Sequence, residues 1–160
     1  MLKKYSIEFK WGTLFAIMSL AWMFVEKSVG LHDVLIHKHA LYTNFVAIPS
    51  VIIYVFALLD KRKNFFGGQI TYMQSFLSGV LISVVVAVLS PLTQTICFQG
   101  ITPNYFENAI AYAISSKQMS EDVAREFFNL ENYVIQGLFG AIVMGTLTSA
   151  IVSIFIRNKK

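Results

Sequence analysis

All three histidines of the chain fall within one short stretch, Leu31-His32-Asp33-Val34-Leu35-Ile36-His37-Lys38-His39. Imidazole and carboxylate ligate transition metals, and imidazole is the ordinary side chain that changes charge near neutral pH. His32, Asp33, His37 and His39 therefore hold chemistry for a metal ion or for a proton. Their spacing matches no defined zinc pattern, and Lys38 puts a positive charge between His37 and His39. The expectation is interfacial polar residues without a bound metal, with a pH-sensitive loop as the chemical alternative.

A second set is more dispersed. Glu26, Asn44, Gln94 and Gln136 each lie near one end of a different apolar segment, and the topology below puts all four at the outer end. Pro49 and Pro91 sit at comparable depth, and a proline inside a helix frees a backbone carbonyl and can kink the chain. Ionisable groups in a membrane usually face a bundle interior or a cavity. The four side chains are thus a candidate polar pocket open to the outside, the bland alternative being hydrogen bonds between helices and to head groups.

Other chemistry is missing from the sequence. There is no nucleotide-binding glycine motif, no HExxH and no GxSxG. No paired carboxylates sit within an apolar segment, and no internal repeat or selectivity-filter-like run appears. Cys97 stands alone, so no intramolecular disulfide can form. The expectation is a chain that is not an enzyme and needs no cofactor.

The elements that carry these residues are membrane helices. Hydrophobic residues make up 56% of the 160 and charged residues 14%, against roughly 45–50% and ~25% in soluble domains. Spanning helices need about 20 mostly apolar residues. Segments 9–25, 41–59, 76–98 and 133–156 qualify, which predicts an all-α, four-transmembrane-helix bundle in one domain. Lys3, Lys4 and Ser19-Leu20-Ala21 loosely resemble a cleaved signal, but the apolar run continues through Val25 and is read as retained.

Basic residues set the orientation. Lys3, Lys4, Lys10, Lys61, Arg62, Lys63, Arg157, Lys159 and Lys160 place nine charges on one side, against Lys27, Lys38, Lys117 and Arg125 on the other. Both termini are therefore expected in the cytoplasm. The net charge of +4 forms no continuous stripe, so nucleic acid is not an expected partner. Gly67-Gly68 marks a turn in the inner connection, where Lys61-Arg62-Lys63 can reach anionic head groups.

The second outer connection, from about 100 to 132, is the largest extramembrane part. Tyr105, Phe106, Ala109, Ile110, Ala113 and Ile114 form one apolar stripe, which predicts an amphipathic helix capping the bundle. Ser120 precedes Glu121 and Asp122 as a helix cap. With no Gly or Pro after it, the fourth helix is expected to project from the bilayer from about Glu121.

Within a bilayer, helices associate where small residues let backbones approach. Gly137, Ala141, Gly145, Ser149 and Ser153 recur every four residues in the fourth span, as do Ser75, Gly79, Ser83 and Ala87 in the third. The two ladders are expected to meet, the alternative being contact with another subunit or a second copy.

Gly30-Leu31-His32-Asp33, Tyr42-Thr43-Asn44-Phe45, Ile70-Thr71-Tyr72-Met73-Gln74-Ser75-Phe76, Ser90-Pro91-Leu92 and Thr102-Pro103-Asn104-Tyr105-Phe106-Glu107 carry a resemblance. The chain resembles a domain-of-unknown-function family of small bacterial membrane proteins over nearly its whole length. The resemblance implies a four-helix fold in a bacterial inner membrane and implies no activity. The expected role is a non-enzymatic accessory or structural subunit of an envelope complex. The alternatives are a small carrier or channel with a site open to the extracytoplasmic side, and a membrane enzyme acting on a lipid-linked substrate through Glu26 and the histidines.

The orientation has a direct check. Single cysteines at Lys63 and Lys117, in a background lacking Cys97, are probed on intact cells with an impermeant thiol reagent. Position 117 is expected to react and position 63 to stay unlabelled; equal labelling contradicts four spans.

Overall fold

The computed structural model describes residues 2–158, with side chains from residue 4 onward; Lys159 and Lys160, counted above among the inner charges, lie outside the described residues. The described chain is helical without a strand. Helix α1 (Leu2–Ser28) is followed by α2 (Ile36–Tyr42), a 3₁₀ turn (Thr43–Val46) and α3 (Ala47–Asn64). Then come α4 (Tyr72–Thr95), a π turn (Ile96–Ile101), α5 (Tyr105–Ser115), α6 (Glu121–Phe127) and α7 (Leu130–Ile156).

Three continuous helical segments are long and apolar enough to cross a membrane: Ile36–Asn64, Tyr72–Ile101 and Leu130–Ile156. Segment 9–25, the first expected span, lies within α1. That helix has the length of α7, 27 residues, or roughly 40 Å. It is less apolar, because Gly12, Thr13, Ser19 and two tryptophans dilute its middle and charged residues sit towards both ends.

Helices α4 and α7 form the most extensive pair in the fold, and their small residues are the reason. A Cβ at Gly79 would strike Ser149, one at Gly145 would strike Ser83 and Tyr54, and one at Gly137 would strike Ser90 and Gln94. Ser75, Ser83, Ser149 and Ser153 are wholly buried, and Ala87 is buried beside them. Their hydroxyls are satisfied at short range: Ser153 Oγ donates to Ser75 Oγ at 2.9 Å, and Ser83 Oγ and Ser149 Oγ donate back to Gly79 O and Gly145 O. Ala141 is half-buried on the same face. Tyr54 of α3 joins the seam through its hydroxyl, 2.8 Å from Ser83 Oγ.

One end of the bundle is closed by charge. Lys61 is buried, not among head groups: its ammonium donates to Glu8 and to Lys4 O, each within 3.1 Å, and Glu8 is 2% exposed. Arg62 likewise turns inward, donating to Gly68 O and Ile156 O at 3.1 Å. Only Lys63 of that basic triplet is exposed. Lys10 pairs with Asp60, which also accepts from Trp11 Nε1 at 2.7 Å. Burying Lys61 is tolerable because a carboxylate and a carbonyl replace its water. The start of α1, the end of α3, the start of α4 and the end of α7 therefore share this end. Gly67 and Gly68 turn the chain here with φ of +64° and +95°, and Thr71 with Gln74 forms a reciprocal capping box on α4.

At the opposite end, α5 packs its apolar stripe inward. Tyr105, Ala109, Ile110 and Ala113 are buried, Phe106 is half-buried, and Ile114 is exposed at the margin. The fourth long helix does not project from Glu121. It breaks between Phe127 and Leu130, where Asn129 is extended and its side-chain oxygen accepts from Asn132 N at 2.9 Å. Asparagine is among the best N-cap residues, so the break needs no glycine or proline.

The α4–α7 seam gives a mutational test. Gly145→Leu forces a branched side chain into Ser83 and Tyr54 and is expected to destabilise the bundle by roughly 1–3 kcal/mol. Leu147 is 53% exposed on the outer surface of α7, and Leu147→Ala is expected to cost less. Thermal unfolding in detergent checks the order; its reversal would show that the seam is not tight.

Candidate functional site

The site begins on the last turns of α1. Trp22 and Glu26 are four residues apart and so lie on one face; Trp22 Nε1 donates to Glu26 Oε1 at 2.6 Å. After α1 the chain reverses at Gly30, whose φ of +82° is open to glycine at little cost. Leu31 N donates to Glu26 O, and Leu35 N to Gly30 O at 2.8 Å. That reversal returns His32 to α1 with Nε2 3.1 Å from Glu26 Oε2.

Helix α2 then delivers His39, whose Nε2 lies 3.4 Å from the same oxygen. Glu26 and His32 are 1% and 2% exposed, His39 17%. His37 is on α2 too, but two residues from His39 is about 200° around a helix. His37 accordingly points to solvent, as do Lys38 and Asp33. Two of the four loop residues singled out from sequence thus join Glu26, and two do not.

Helix α5 covers the cluster. Tyr105 Oη is 3.4 Å from His39 Nδ1 and 3.2 Å from Tyr133 Oη. The Tyr105 ring lies 5.2 and 5.1 Å from the rings of His32 and His39. Burial, together with Tyr133 and the Glu26 carboxylate, pushes the Tyr105 phenol far up, so it stays protonated and serves as a neutral hydrogen-bonding group. Asn108 Nδ2 donates to His32 O at 2.9 Å, tying α5 to the turn.

Among the described residues, His32 and His39 are the only ion-pair partners of Glu26. A buried carboxylate requires a compensating charge. Here the compensating groups are the Trp22 indole N–H and the two imidazoles, which can also share a cation with the carboxylate. One donor atom from each of Glu26, His32 and His39 lies within 4.8 Å of the other two, so the arrangement can hold one.

Beneath the cluster lies a cavity of about 490 Å³ between α1, α3, α4 and α7. Its wall is mainly apolar, with Trp22, Thr43, Ser50, Ser90 and Thr93 as polar points. Asn44 and Gln94 line it, although the Asn44 amide is spent on Ala40 O at 2.7 Å. Glu26 does not line it, although Trp22 and Thr43, which do, both reach its carboxylate, and Gln136 lies exposed outside it. The four polar residues grouped by depth therefore do not converge: depth along a helix fixes level but not which face a side chain takes. The tyrosines and Trp22 were missed as partners; the Trp22–Glu26 spacing was the one available signal.

Comparison with known proteins fits this picture. A family model described as Protein of unknown function (DUF4199) matches residues 10–158. The chain belongs to that family. No curated protein and no solved structure matches the chain. Membership supplies no activity to carry over, so function rests on the geometry.

Proposed function

We propose that this is a four-span membrane protein, with both termini cytoplasmic, that works by binding and not by catalysis. In this reading it holds a small amphiphilic molecule in the cavity of its outer half, as part of a bacterial inner-membrane assembly. The basic residues support the orientation, because Lys10, Lys61, Arg62 and Arg157 belong to helix ends that share one end of the bundle. The length of α1 supports the fourth span.

The observation that carries the binding role is the cavity itself. Its 490 Å³ falls within the roughly 300–1,000 Å³ of small-molecule sites, and mainly apolar walls with a few hydroxyls and one amide suit a molecule with an alkyl or ring body and a polar tip. A second reading is an accessory subunit, in which a partner's helix occupies the cleft. It is favoured by the segment Ile36–Asn64, the least buried of the three long apolar segments.

Gly140 provides the test. It lines the cavity, and a Cβ there would meet nothing within 4 Å. Gly140→Leu is expected to fold and enter the membrane normally while filling the space. Protein purified from native membranes in mild detergent is analysed for co-purifying small molecules and for stoichiometric protein. A lipid or solute present in the wild type and lost in Gly140→Leu is the expected result. A stoichiometric protein in its place supports the accessory reading, and identical small-molecule content in both chains contradicts binding in the cavity.

A further inference from the structure

The geometry points to a divalent first-row metal site formed by Glu26, His32 and His39, a function separate from the cavity below it. Two histidines and one carboxylate are a donor set used for zinc and for non-haem iron. The two Nε2 atoms stand 3.1 and 3.4 Å from one carboxylate oxygen, Oε2. A tetrahedral ion with bonds of about 2.0–2.2 Å separates its ligands by roughly 3.3–3.6 Å. The two carboxylate–imidazole separations thus lie within a few tenths of an ångström of that spacing, and one donor atom from each of the three residues lies within 4.8 Å of the other two.

The surroundings are built for ligation. Trp22 Nε1 occupies Glu26 Oε1, which fixes the carboxylate and leaves Oε2 turned to the imidazoles. Tyr105 Oη can accept from His39 Nδ1–H, the outer-shell bond that orients a ligating imidazole. His32 Nδ1, on the far side of the ring from the ligating Nε2, is buried without a hydrogen-bond partner among the described residues, so the outer-shell bond that orients a ligating imidazole is made at His39 and not at His32. A divalent ion also supplies the positive charge that, among the described residues, no lysine or arginine brings to Glu26. Lys38, the sequence objection to a metal, is exposed. His39, 17% exposed, is the side from which an ion and an exogenous fourth ligand would enter.

The test uses the full chain in detergent, stripped with a chelator and dialysed free of it. Zn²⁺ is titrated by calorimetry, and Co²⁺ is followed by its visible d–d absorption. One ion per chain is expected, with the Co²⁺ spectrum of a four- or five-coordinate nitrogen–oxygen site. Glu26→Gln, which keeps the shape, and the His32→Ala, His39→Ala double variant are expected to abolish stoichiometric binding. Tyr105→Phe is expected to weaken it about 10–100-fold. His37→Ala, at the exposed position, and Gly140→Leu, in the cavity, should leave it unchanged. A wild-type chain that takes up no stoichiometric ion overturns the proposal and leaves the cluster to protons alone. Binding that survives Glu26→Gln and the double variant, or is lost in His37→Ala, overturns it equally, because the ion then sits elsewhere.

Discussion

A carboxylate is buried at the end of the bundle that α2 and α5 cover, and the local architecture there is organised around it. Glu26 is 1% exposed and, among the described residues, meets no lysine or arginine. Removing such a group from water without compensation costs several kcal/mol. Trp22 offers one donor from α1 itself. The remainder must come from elsewhere in the chain, which explains why the chain reverses at Gly30, why α2 presents His39, and why α5 lies across both rings. Tyr105, Tyr133 and Asn108 tie these pieces to one another and to α7. The same Trp22 that fixes the carboxylate also lines the cavity beneath, so the two features are adjacent.

The rest of the bundle supplies the frame against which this end is built. In a bilayer, apolar helices gain little from contacting each other instead of lipid, so close backbone approach and hydrogen bonds must hold them. The α4–α7 seam does so with glycines opposite serines, whose hydroxyls find acceptors within the seam. The Glu8–Lys61 pair locks α1 to α3 at the other end. One end is thus closed by a carboxylate–ammonium pair, and the other by a carboxylate whose partners are imidazoles, which can also ligate a metal. Only the second arrangement has chemistry left to use.

The features legible in the sequence were those set by periodicity. Small residues at every fourth position foretold which helix faces lie together, and the stripe from Tyr105 to Ile114 foretold the capping helix. Gly67-Gly68 marked the turn. The sequence reading failed where a single backbone angle or helical phase decides the outcome. Grouping Glu26 with Asn44, Gln94 and Gln136 used depth alone, while Gln136 faces outward and Glu26 faces the histidines. Treating the histidines as one loop hid the fact that the Gly30 reversal returns His32 and that His37 and His39 diverge on α2. Lys61 is expected among head groups because nothing local shows that Glu8, more than fifty residues away, receives it. The α6–α7 break turned on Asn129, a cap that a search for glycine or proline passes over.

The central claim is that Glu26 holds the α2–α5 end of the bundle together independently of the rest. Hydrogen–deuterium exchange on Glu26→Ala in detergent tests it most directly. Leaving buried polar partners unmatched costs about 1–3 kcal/mol, so amides of residues 29–42 and of α5 are expected to exchange roughly 5- to 150-fold faster. Amides at the α4–α7 seam and around Lys61 should exchange as in the wild type. Unchanged protection over residues 29–42, or equal loosening at both ends of the bundle, would contradict the account.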